Sequence, residues 1–152
     1  MKKMLLIVAL AIMSTSCISL LVGLSDYPDE FNYWFFVENH TQQDLYVKYA
    51  RQFDHPDVVV EKVLKKDDVL SLRIVDGADN RGFDLFGEVF LRCEIWTADG
   101  SRMLKKWAVD DPLEALGGKH LYAKEWWTLS EQKTYNSSQK EWTFVLTAED
   151  ID

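Results

Sequence analysis

Cysteine, histidine and clustered positive charge are all scarce in this 152-residue sequence, and each scarcity removes a class of function. Only Cys17 and Cys93 occur, so there is no disulfide framework and the fold must rest on apolar burial. The three histidines, His40, His55 and His120, lie far apart, each beside an expected turn, and none has a partner at ligand spacing. No H-E-x-x-H, paired C-x-x-C or G-x-S-x-G is present. The histidines therefore read as solvated loop residues, and no catalytic residue, metal or cofactor is implied. Basic residues number 17 against 25 acidic, a net charge of −8. The short pairs Lys65-Lys66 and Lys105-Lys106 have acidic neighbours or lie on an expected strand, so no surface tracks phosphates and nucleic acid is excluded as a partner. The acidic balance itself reads as a solubility device.

Apolar residues are plentiful, at 47% of the chain with 13% aromatic and six tryptophans. A domain of about 130 residues with that supply buries a core without covalent staples. The sequence holds no internal repeat and no low-complexity segment.

The N-terminus "MKKMLLIVALAIMSTSC" has the layout of a bacterial secretory signal: Lys2 and Lys3, an apolar run from Met4 to Met13, then small residues Ser14-Thr15-Ser16. Ending on Cys17, it resembles the lipobox of bacterial lipoproteins, in the "TSC" form found in Bacteroidota-type bacteria. Ser14 stands where that pattern usually has leucine. The resemblance implies a signal peptide over 1–16, a lipid on Cys17, a lipidated tether over 17–31 and a folded domain over 32–152. Acyl chains on Cys17 would make the membrane a partner, at about 0.8 kcal/mol per buried methylene. Removing Lys2 and Lys3 with the signal leaves 15 basic against 25 acidic residues, a net of −10. Exported lipoproteins of this group often carry acids just after the cysteine; here Ile18-Ser19-Leu20-Leu21 follows. That implies an outer-membrane lipoprotein of the cell envelope facing the periplasm, with surface display as the other arrangement. Two alternatives stay open: an uncleaved span over Met4–Leu24, and ordinary cleavage after Ser25.

Beyond "SDYPDE" the apolar period is two. The runs 32–38 and 44–50, separated by the turn-forming "NHTQQD", predict a hairpin. Runs 58–64 and 69–75 flank the charged turn "KKDD". The stretch 87–109 predicts a second hairpin about "ADG", with Gly100 free to take positive φ. Finally, 120–130 and 141–147 pair across a polar segment. Eight strands predict an all-β sandwich. "DDPLEALGG" predicts one helical turn near 111–116, with Asp111 as N-cap and Pro112 at the first position. The pattern resembles immunoglobulin-like or transthyretin-like sandwiches of small bacterial lipoproteins, a likeness that brings no activity with it.

Three groups of side chains are candidates for chemistry. Cys93 points inward with Leu91 and Ile95, where a thiol is a small hydrophobe. The loop 76–88 holds Asp76, Asp79, Asp84 and Glu88, hard oxygen ligands of the kind calcium takes, yet the EF-hand spacing fails and its phenylalanines predict a structural loop. The tryptophans are the best binding signal. Trp34 and Trp96 fall opposite the aliphatic rows of their strands, and adjacent Trp126 and Trp127 must face opposite sides. Outward rings gathered together would make a partner face for an envelope protein or a glycan. The leading reading is a tethered, non-enzymatic binding or scaffolding module; the alternative is a glycan-binding sandwich using exposed tryptophans. An enzyme or inhibitor would need a polar cleft that no motif announces.

Overall fold

The structure, a computed structural model, describes residues 30–52, 59–76, 81–112, 118–133 and 137–151. The signal, Cys17 and the tether to residue 29 lie outside these, as do His55, Asp79 and most of the helical turn expected at 111–116. Eight strands form: β1 (Glu30–Asn39), β2 (Leu45–Arg51), β3 (Val59–Leu64), β4 (Val69–Asp76), β5 (Phe90–Thr97), β6 (Met103–Ala108), β7 (Thr128–Lys133) and β8 (Ser137–Leu146). They make two four-stranded sheets, ordered β4-β1-β8-β7 and β3-β2-β5-β6. The chain is an all-β sandwich of eight strands.

Alternation sorts each strand's residues between core and surface. In β1, Tyr33, Phe35 and Val37 are buried while Trp34 and Phe36 are half-exposed. Across the core, Leu45, Val47, Cys93, Ile95 and Trp107 supply the facing layer. Most strand neighbours are antiparallel, but β1 and β8 run parallel over their whole length, from Glu30↔Ser137 to Asn39↔Leu146.

The expected hairpin of 32–38 with 44–50 does not form: β1 and β2 lie in different sheets. A period of two states which face is inward but not which strand is the neighbour, and two apolar rows are satisfied equally by facing each other across a core. The β5–β6 hairpin does form, and Gly100 has φ +71° in its turn. The seventh strand is Thr128–Lys133 rather than 120–130, because residues 124–126 make a single 3-10 turn and the polar stretch after it pairs with β8.

The loop 76–88 also departs from expectation by containing a helix, α1 (Asp84–Val89). No side chain caps it. Six residues are too few to be stable alone, so α1 exists because Leu85, Phe86 and Val89 are buried. Gly87 permits the close approach: a Cβ there would come within 3.0 Å of Val109 Cγ2.

Asn39 ties the sheets together at one end. Its buried side-chain amide reaches the carbonyls of Gln43, Leu64 and Lys65 at 3.0, 3.2 and 2.9 Å. Its Oδ1 accepts from the Thr41 N–H at 3.0 Å and from the Thr41 hydroxyl at 2.6 Å. Its backbone bonds Asp67 and Asp68 in the β3–β4 turn. Stranding a buried polar group costs roughly 1–3 kcal/mol, so Asn39→Ala is expected to lower unfolding free energy by about 2–4 kcal/mol in urea titration; a loss within 0.5 kcal/mol, on the order of an ordinary surface substitution, would contradict this role.

Candidate functional site

The first sheet presents an outer face built on β1. Trp34 and Phe36 stand on it side by side, rings parallel to within 7° and 6.1 Å apart. Register sets their neighbours: Arg73 and Glu141 flank Trp34, Ser71 and Thr143 flank Phe36, and Asn32 lies beside Gln139. The Arg73 guanidinium sits 5.1 Å over the Trp34 ring and donates to Asn32 Oδ1 at 3.0 Å. Gln139 Nε2 donates to Glu141 Oε1 at 2.6 Å. This is an aromatic pair set in amides, hydroxyls, one cation and one carboxylate.

The outer face of the second sheet differs. Its aromatic rings, Tyr46 and Trp96, bracket Lys48, whose Nζ lies 5.4 and 5.0 Å from their centroids. Lys48 also pairs with Glu61 at 3.1 Å, and the Tyr46 hydroxyl donates to Glu61. That hydrogen bond raises the Tyr46 pKa and lowers that of Glu61, Lys48 assisting the latter. Trp96 Nε1 donates to Glu94 at 3.1 Å.

The four tryptophans read from sequence therefore do not share one face. Trp34 and Trp96 lie on opposite outer surfaces. Of the adjacent pair, Trp126 is 44% exposed at the end of the 3-10 turn, whereas Trp127 is core at 6% and donates Nε1 to the Leu121 carbonyl at 2.7 Å. Trp127 is thus no ligand residue. Phe36, Arg73, Tyr46, Lys48 and Glu61 were not legible as site residues. Alternation assigns their side, but only strand pairing reveals their neighbours.

Of the oxygen-rich loop, Asp79 lies outside the described residues. Phe83, Leu85 and Phe86 fold inward, leaving Asp84 exposed and Glu88 paired with Arg81. Asp76 ends β4. Among the described residues no three His, Cys, Asp or Glu side chains gather as metal ligands would. An open groove of about 340 Å³ lies over α1, lined by Phe83, Asp84, Gly87, Glu88, Val109 and Tyr122. Phe83, Val109 and Tyr122 give it an apolar lining, and its two acids, Asp84 and Glu88, are exposed.

Cys93 is buried, and burial pushes its thiol up to about 12. His40 is exposed, 3.2 Å from Glu38. His120 departs from the solvated reading: it is 2% exposed, beside buried Leu121 and Ala123, because the chain after Gly118 turns inward. Its Nδ1 accepts the Tyr122 N–H at 3.1 Å, while Nε2 faces Asp111 Oδ2 at 3.9 Å without a hydrogen bond. Desolvation lowers its pKa, partly opposed by Asp111.

No family model matches the chain, and no curated protein matches it. One similar solved structure is the dioxygenase domain of a dioxygenase carbohydrate-binding protein fusion from the cellulolytic bacterium Streptomyces sp. SirexAA-E, at 11% identity over 81% of this chain and 83% of that one, with a TM-score of 0.35. A likeness at this level says nothing of what either chain binds. Among the described residues no helix is long and apolar enough to cross a membrane.

Two titrations follow. Because His120 is held neutral in the fold, the unfolded chain takes up its proton first as pH falls below the ordinary 6.5. Stability is then expected to drop from pH 7 towards pH 5, by at most ~1.4 kcal/mol per pH unit for one proton. Urea midpoints should show a shallower drop in His120→Gln; an unchanged slope would remove His120 as its source. The Cys93 thiol has the opposite sense: it is neutral in the fold beyond the ordinary 9.0, so stability declines as pH rises above about 9. A thiol reagent at pH 8 is expected to label Cys93 only after denaturation.

Proposed function

We propose that this protein is a non-enzymatic binding or scaffolding lipoprotein of the bacterial cell envelope, held to the membrane by acyl chains on Cys17 and facing the periplasm. The N-terminal sequence supports the tether, through its charged start, apolar run and small residues before Cys17. The observation that carries the binding role is the parallel pair Trp34 and Phe36 on an open sheet face. Rigid aromatic rings lose little entropy when a partner covers them and contribute much apolar area, which is why interfaces concentrate on them. Arg73, already stacked on Trp34, adds a charged group that orients a partner.

A second reading, a glycan ligand, is favoured by what surrounds the rings. Asn32, Gln139, Ser71 and Thr143 place amides and hydroxyls beside them. Apolar ring faces with a few placed polar groups suit a pyranose, whose C–H face stacks while its hydroxyls seek hydrogen bonds.

Two measurements test these readings on the full-length protein. Intact mass of membrane-extracted material is expected to give a chain beginning at Cys17 and carrying diacylglycerol plus a third acyl chain, lost in Cys17→Ala. An unmodified chain from Asp26, or the uncleaved chain, would overturn the tether. Crosslinked envelope partners are expected to fall at least tenfold with Trp34→Ala/Phe36→Ala and not with Trp126→Ala. Tryptophan emission that shifts with a soluble polysaccharide, and stops doing so in the double variant, would select the glycan reading; partner loss without any such shift would select a protein.

A further inference from the structure

The outer face of the second sheet is organised in rows that cross all four strands. Strand register aligns Val63, Tyr46, Trp96 and Met103 in one row, on β3, β2, β5 and β6 in turn. Its ends are open, with Val63 52% and Met103 46% exposed. The adjacent row on the same face, two residues along each inner strand, reads Glu61, Lys48, Glu94 and Lys106. One row is apolar and the next alternates in sign at every strand. At a strand spacing of about 4.8 Å each row is roughly 14 Å across.

We propose that this face is a homodimer interface, occupied by the same face of a second copy of the chain. The argument is its self-complementarity. When two sheets pack face to face about a twofold axis running along the strands, each row meets its own copy in reverse order. Val63 then meets Met103 of the second copy and Tyr46 meets Trp96, closing the apolar row on itself. Glu61 meets Lys106 and Lys48 meets Glu94, so every charge in the second row faces its opposite. The other in-plane axis, running across the strands, would set Glu61 on Glu61 and Lys48 on Lys48 along the charged row. The alternation thus both favours the pairing and selects its geometry, as an isologous twofold contact requires. Aligned sheets cross at about 30°, an offset that long Lys and Glu side chains span over so short a row. The surface is separate from the Trp34 face, so pairing leaves that face open.

Sedimentation equilibrium of the full chain in density-matched non-ionic detergent tests this. The wild type is expected to be a dimer that weakens with salt. Glu61→Lys alone and Lys106→Glu alone should each weaken self-association at least tenfold, since each places like charges together twice per dimer. An equimolar mixture of the two variants should recover a dimer, each chain supplying the charge the other has reversed; misfolded chains could not do so. A wild type monomeric at tens of micromolar, single variants that dimerise as the wild type does, or a mixture that stays monomeric would each overturn the proposal.

Discussion

Two phenylalanines in the middle of the sandwich decide where everything else lies. Phe83 and Phe86 insert between the sheets from the α1 segment. Phe86 reaches Phe35, Trp127, Phe90 and Tyr122 at centroid distances of 4.9 to 5.4 Å, and Phe83 reaches Trp142 at 5.2 Å. These rings come from both sheets and from the irregular segment before β7. Each well-placed aromatic pair adds about 0.5–1.5 kcal/mol beyond area burial, and here the pairs share members, so they act together. Losing one ring would loosen both sheets. The outer faces inherit their order from this cluster, because a strand whose inner row is held cannot turn its outer row.

Much of this was legible in the residues, and the exceptions share a cause. Tyr33, Phe35 and Val37 alternate with Trp34 and Phe36, and that alternation places them correctly with no structure in hand. The Ala98–Gly100 turn is equally local. What was not legible is who neighbours whom: β1 and β2 look like a hairpin but sit in opposite sheets. Pairing is a non-local choice, and in this fold α1 and the β1–β8 ladder make it. The same blindness hid the candidate faces. Tyr46, Trp96, Val63 and Met103 are scattered over residues 46 to 103, and they form a row only once register is known. The burial of His120 is non-local in the same way, since it depends on where Leu121 and Trp127 pack.

The two outer faces differ in their chemistry. One sets aromatic rings among amides and hydroxyls; the other sets an apolar row beside alternating charge. Two buried titratable groups, Cys93 and His120, are held in their neutral forms by the packing around them.

The parallel pairing of β1 with β8 sets a clock on folding. Residues 30–39 and 137–146 are more than a hundred positions apart, yet they occupy the two central places of the first sheet. A chain emerging N-terminus first holds β1 with one flank unpaired until its last strand arrives. Closing so long a loop before any contact rewards it is slow, and folds dominated by such pairings take milliseconds to seconds. The first sheet therefore cannot close until residues 137–146 are available to β1.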